Sequence, residues 1–272
     1  MIKALVSVYP DLASVIAMNY ACRLSKMFAM EIQPIFVKEP EEGDKAPAVG
    51  WVRQTWENGL LDVEQEAMNK LIESERSVYA KLSRLQVIYG DRDEAILDNL
   101  LEGAYDLFVE GSISRFEKSV LLQRTCSWLY RKLPCSVIIA RNLIDLNKIL
   151  IITGDAAPAN TLLPALMKLF NGSNVRFDLL YIKIIDSGPL EPIYSEPELF
   201  NEADEIFHGT GWKPEKKLAL QGTPRDLATQ IEEYSLVATS LPSEPERHNG
   251  LAELLSDTPS PILFCRQRIG ML

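Results

Sequence analysis

A glycine followed by hydroxyl residues at the mouth of a helix makes an anion cradle, because outward-pointing amides and the helix dipole both favour negative charge. Gly111-Ser112, with Ser114 two residues further, follows an apolar run at 106–110, and Arg124-Thr125 lies in the helical pattern beyond it. A second segment, Tyr9-Pro10-Asp11, follows the apolar run that opens the chain. Open parallel sheets bind ligands beyond the carboxyl ends of strands where the strand order reverses. If the first and fourth strands flank that point, these segments meet over one crevice. Arg115, Lys118 and Arg124 either add positive charge there or are solvated helix residues. Asp11, Asp91 and Asp155 fall near strand ends without a partner that would make them a base or a ligand, so helix capping is expected of them.

Other chemistries lack support. The sequence has no GxxxxGK[ST] loop, no GxGxxG after a strand and no GxSxG elbow. Cys22, Cys126, Cys135 and Cys265 show no metal-type spacing, and His208 and His248 are the only histidines. No enzyme and no metal site are expected. A net charge of −10 with pI near 4.9 argues against broad binding to nucleic acid or anionic membranes. No apolar run approaches the roughly 18–20 residues of a membrane span. The chain opens directly on a strand pattern, so no leader is expected, and reduced thiols fit a cytoplasmic protein.

The elements that must position these residues repeat. Strands are expected near 3–9, 31–37, 84–89, 106–110 and 136–140, with helices near 11–29, 59–83, 92–103 and 117–132. A second set of strands follows near 148–153, 176–183, 217–221, 235–239 and 261–265. Val-, Ile- and Leu-rich strands separated by helices indicate a parallel sheet covered on both faces. Lys3-Ala-Leu-Val-Ser-Val-Tyr9 lies over Lys148-Ile-Leu-Ile-Ile-Thr-Gly154, and Pro134-Cys-Ser-Val-Ile-Ile-Ala-Arg141 over Pro259-Ser-Pro-Ile-Leu-Phe-Cys-Arg266. The expectation is two tandem α/β doubly wound domains, 1–145 and 146–272, packed as a pseudo-dimer with a further homodimer left open. One continuous sheet, or halves that do not superimpose, is expected to end the reading that one βα unit was copied. Between strands two and three the copies diverge, and Trp51 and Trp56 are either packing residues or part of a lid or docking surface.

Asp106-Leu-Phe-Val-Glu-Gly-Ser112, a helix and Leu133-Pro-Cys-Ser-Val-Ile-Ile-Ala-Arg141 resemble the closing pattern of the universal stress protein family, DLIVxGS, helix, APCPVLVVR. The opening strand and helix resemble that family's too. The resemblance implies an α/β fold, a tendency to dimerise and, in many members, an adenine nucleotide at the switch point. The family's motif, G-x2-G-x9-G-(S/T), is matched at Gly111, whereas Ser114 and Arg124 replace the second and third glycines and Thr125 fills the hydroxyl position. Tyr9 stands where nucleotide-binding members place an Asp, with Asp11 two residues on. By resemblance, Gly111, Ser112, Ser114 and Thr125 would hold phosphates and the backbone near Val37 would meet the base. Arg124 would occupy phosphate space or bind an anion itself. In the second half Thr239-Ser240 stands in the place of Gly-Ser, and Pro242, Glu244, Pro245 and Glu246 oppose phosphate binding.

Two functions compete, and a third, an enzyme such as a weak nucleotide hydrolase or one acting on an unrelated small molecule, lacks any identifiable base or nucleophile. One is a stress-response regulatory protein that binds ATP, ADP or AMP in its amino-terminal half. The other is a nucleotide-free dimeric scaffold or docking protein. No nucleotide is required in either.

Overall fold

A computed structural model describes residues 1–39, 66, 68–70, 72–73, 82–113, 118–154, 157–194, 197–208, 210–241 and 250–266. The first half runs β1 (Ile2–Ser7), α1 (Leu12–Met27), β2 (Met30–Lys38), β3 (Gln86–Tyr89), α2 (Arg92–Glu102), β4 (Leu107–Gly111), α3 (Lys118–Thr125), α4 (Trp128–Lys132) and β5 (Ser136–Ala140). The second runs β6 (Lys148–Thr153), α5 (Ala159–Leu169), β7 (Arg176–Ile184), β8 (Glu191–Pro192), a 3-10 turn at Pro197–Phe200, α6 (Asn201–Phe207), β9 (Lys217–Gly222), α7 (Pro224–Gln230), β10 (Leu236–Ser240), α8 (Gly250–Asp257) and β11 (Ile262–Cys265). All ten expected strands are present. The short β8 is an addition that pairs antiparallel with β9 at the sheet edge. The helix expected over 117–132 is two helices, because Ser127 accepts a hydrogen bond from the Tyr130 amide at 3.3 Å and starts α4 afresh. Most of the helix expected over 59–83, together with Trp51 and Trp56, lies outside the described residues.

The strands form one sheet, in the order β3-β2-β1-β4-β5-β11-β10-β6-β7-β9-β8. The two copies of the expected pseudo-dimer therefore meet edge to edge within one sheet, not face to face as two copies of one fold can. β5 and β11 pair antiparallel, Val137 opposite Phe264 and Ile138 opposite Leu263, and join the halves edge to edge. The physical reason is the edge itself. Both strands are buried and apolar, so each needs a partner for its row of amides and carbonyls.

The expectation that a continuous sheet would end the duplication is corrected here, because two copies joined edge to edge share one sheet while the order still reads the same outward from the seam on both sides. β5, β4, β1, β2 and β3 are answered by β11, β10, β6, β7 and β9. Local chemistry repeats as well. The Lys3 amide donates to Asp106 Oδ2 at 3.1 Å, and the Lys148 amide donates to Ser235 Oγ at 3.0 Å.

Side chains alternate across the sheet. Ala4 and Val6 enter one core, with Met18, Ile149 and Leu162, while Leu5 enters the other, with Phe108, Leu150 and Leu254. Each core thus runs through both halves. A chain ending at Asp145 would expose the whole β5 edge, so it should self-associate through β5 or aggregate. Light scattering on that fragment checks this, and a well-behaved monomer would show that the edge needs no partner.

Candidate functional site

The strand order reverses between β1 and β4, and an open cavity of about 440 Å³ lies there, beyond their carboxyl ends. Tyr9, Asp11, Gly111 and Arg124 line it, as the sequence suggests. It is also lined by Ser14, Arg92, Asp93, Glu110, Ser127 and Tyr130, which sequence reasoning did not single out. Of the other expected site residues, Val37 is buried in the core and Pro10 is exposed outside this lining. Ser112 is buried and absent from the lining, its amide donating to Ala140 O at 2.8 Å. Thr125 faces a different cavity at the seam, and its hydroxyl donates back to Leu121 O at 3.0 Å and Leu122 O at 3.2 Å. Ser114, Arg115 and Asp155 lie outside the described residues, as does the side chain of Lys118.

Local capping places the first segment. Asp11 Oδ1 accepts from the Ser14 amide at 2.7 Å, and Ser14 Oγ accepts from the Tyr9 amide at 2.7 Å. Asp91 Oδ1 likewise accepts from the Glu94 amide at 2.9 Å at the start of α2. The capping role expected of Asp11 and Asp91 is therefore met. Gly111 has a packing reason of its own. A Cβ there would sit 1.8 Å from the Ala13 carbonyl oxygen, so only glycine lets the first turn of α1 cross β4 this closely.

The centre of the site is Glu110, whose side chain is 7% exposed. Oε2 accepts from Arg92 Nη2 at 2.8 Å, Arg124 Nη1 lies 3.4 Å from Oε1, and the Tyr130 hydroxyl donates to the same Oε1. Arg92 also meets Asp93 at 2.8 Å, and its guanidinium lies 5.9 Å from the centre of the Tyr9 ring. Burial pushes the Glu110 carboxyl up, but Arg124, Arg92 and the Tyr130 hydroxyl more than reverse this and hold it below the usual carboxylate range. Burial, then Glu110, pushes the Tyr130 phenol well up, so it stays a donor. Asp11, Asp93 and Glu110 against Arg92 and Arg124 leave the lining one net negative charge.

Among the described residues the second copy has no matching cluster. The register aligns Leu107 with Ala4 and Leu236 with Ile149, so Thr239 matches Glu110 and Ser240 matches Gly111. The expected match of Thr239-Ser240 to Gly111-Ser112 is thus one residue out of step. The buried Thr239 hydroxyl has no hydrogen-bond partner among the described residues. The matching crevice, about 280 Å³, is mostly apolar, lined by Ile152, Ile182, Ile184 and Leu251 among others.

No group of His, Cys, Asp and Glu among the described residues could hold a metal ion, and no described helix is long and apolar enough to cross a membrane. All four cysteines are free thiols.

Replacing Glu110 by Gln would remove the buried carboxylate that Arg92 and Arg124 share, leaving Arg92 its contact with the more exposed Asp93. It should lower stability at pH 7 by about 3 kcal/mol, read by denaturant unfolding. Because its folded value is depressed, Glu110 stabilises fully above the unfolded value of about 4.3, and that contribution is lost as pH falls through the lower folded value. The wild type should therefore weaken on acidification more steeply than Glu110→Gln. Gly111→Ala should cost about 1–3 kcal/mol by overpacking against Ala13, whether or not any ligand is present, as thermal melts would show.

No protein-family model matches the sequence, nor does any curated protein. Solved structures do match. A universal stress protein from Archaeoglobus fulgidus DSM 4304 is similar over 98% of this chain and 97% of its own, with TM-score 0.65 and 13% identity. A functionally unknown protein from Pseudomonas aeruginosa PAO1 is similar over 98% and 92%, with TM-score 0.57 and 13% identity. At such identity the likeness is one of fold: the chain carries the universal stress protein fold, two copies in tandem.

Proposed function

We propose that the chain is a stress-response regulatory protein of the universal stress protein type, made of domains 1–145 and 146–272, that works as a nucleotide-free scaffold. One observation carries this reading: Glu110 supplies the counter-charge to both arginines of the crevice from inside the protein. A phosphate entering there would have to displace a buried, hydrogen-bonded carboxylate while Asp11 and Asp93 repel it. Arg124 in the place of a motif glycine is accordingly a structural ion-pair partner. The hydroxyls of Ser14 and Ser127 are engaged as caps, which speaks for a binding or scaffolding role over a catalytic one. Free thiols agree with a cytoplasmic setting.

The second reading, an adenine nucleotide bound in the amino-terminal half alone, is favoured by the position and size of the cavity. Titration with ATP, ADP and AMP separates the two. A ligand at about 100 times its dissociation constant stabilises by roughly 2.7 kcal/mol, which a thermal melt resolves easily. No shift beyond that of a salt control is expected with any of the three. A saturable shift with one of them would overturn the scaffold reading.

A further inference from the structure

The halves exchange arginines across the seam. Arg266, just after β11, donates through Nη1 to Tyr130 O at 2.9 Å and through Nη2 to Arg131 O at 2.7 Å, and its amide donates to Ser136 Oγ at 3.1 Å. Arg141, just after β5, donates through Nη1 to Leu255 O at 2.7 Å and to Thr258 O. The alignment that sets Pro134 over Pro259 also sets Arg141 over Arg266 and Tyr130 over Leu255. Each half therefore braces the same helix end of the other. The last carbonyls of a helix have no partner within it, and a guanidinium satisfies both the hydrogen bonds and the dipole.

The two braces differ in what they hold. Leu255 ends in methyl groups, and Thr239 faces the place of Glu110. Tyr130 instead carries the hydroxyl that donates to Glu110, which in turn holds Arg92 and Arg124. α4 is only five residues long, so little within it fixes where that hydroxyl sits.

We infer that Arg266 is a positioning residue for the amino-terminal crevice: the second half, with Thr239 where the first has Glu110, sets the geometry of Glu110 through the end of α4 and Tyr130. The inference deepens the scaffold reading and rests on it for the meaning of a crevice whose arginines are paired from within. It assigns the carboxyl-terminal copy a task at a site more than a hundred residues away in sequence. The coupling runs through contacts that can be broken one at a time. Arg141 supplies the matching control, since it makes the same kind of brace with no hydroxyl attached.

The test follows the Glu110 side-chain carboxyl resonance of the full chain through an acid titration, assigned by its absence in Glu110→Gln. Arg266→Ala should raise the proton affinity of Glu110 by about tenfold, one pKa unit, because the Tyr130 hydroxyl is no longer held on it. Tyr130→Phe should reproduce that change. Arg141→Ala should leave the titration within about twofold of wild type although it loses a brace of the same kind. If Arg266→Ala does not fold, Arg266→Lys, which cannot fork across two carbonyls, gives the same comparison with a smaller displacement. An unchanged titration in the Arg266 variant, or an equal change in Arg141→Ala, would overturn the inference. Nucleotide binding by the wild type would remove the scaffold reading yet leave this titration a valid test of Arg266.

Discussion

The antiparallel pairing of β5 with β11 is the contact on which the rest of the molecule hangs. Each half alone would be a five-stranded parallel core with one buried, apolar edge left unpaired. Joining the two edges satisfies both and makes one sheet with two cores that cross the seam. It also brings the residue that follows each last strand beside the helix that precedes the other, so Arg141 and Arg266 donate to backbone carbonyls of the opposite half. The pseudo-two-fold relation is thus built into bonds rather than into overall shape.

Against this near-symmetric frame, the two crevices differ in kind. The first gathers two further carboxylates and two guanidinium groups around a buried Glu110, and the second is mostly apolar among the described residues. A buried carboxylate is tolerated only when it is paired and hydrogen-bonded, and Glu110 accepts from Arg92 and Tyr130 and is ion-paired with Arg124, three partners from three separate helices. Those donors are the same groups that would otherwise attract an anion. The crevice keeps the location of a ligand site while its charge is already spent inward.

Gly111 and Thr125 show how a motif residue can be retained for a reason other than a ligand. Gly111 is required by the Ala13 carbonyl oxygen pressing on it, and the Thr125 hydroxyl is bonded to its own helix. The resemblance to the family motif weighs both toward phosphate. Glu110 was visible as the one charged residue in an otherwise apolar strand, next to a glycine. Its partners were not visible, because Arg92, Arg124 and Tyr130 come from other helices at separations that no local pattern records.

The sequence by itself determined the strands, the helices between them and the duplication, because periodicity and residue type are local properties that survive in a string of letters. Tyr9, Asp11, Gly111 and Arg124 were also placed at one crevice by that route, since the strand order of a doubly wound sheet fixes which loops meet. Only the tertiary structure decided that the two sheets are one, that Arg124 faces a carboxylate of its own chain, and that the second half reaches into the first. Those are pairings between residues far apart in sequence, and they are set by which edges, charges and orphan carbonyls remain unsatisfied until the whole chain has folded.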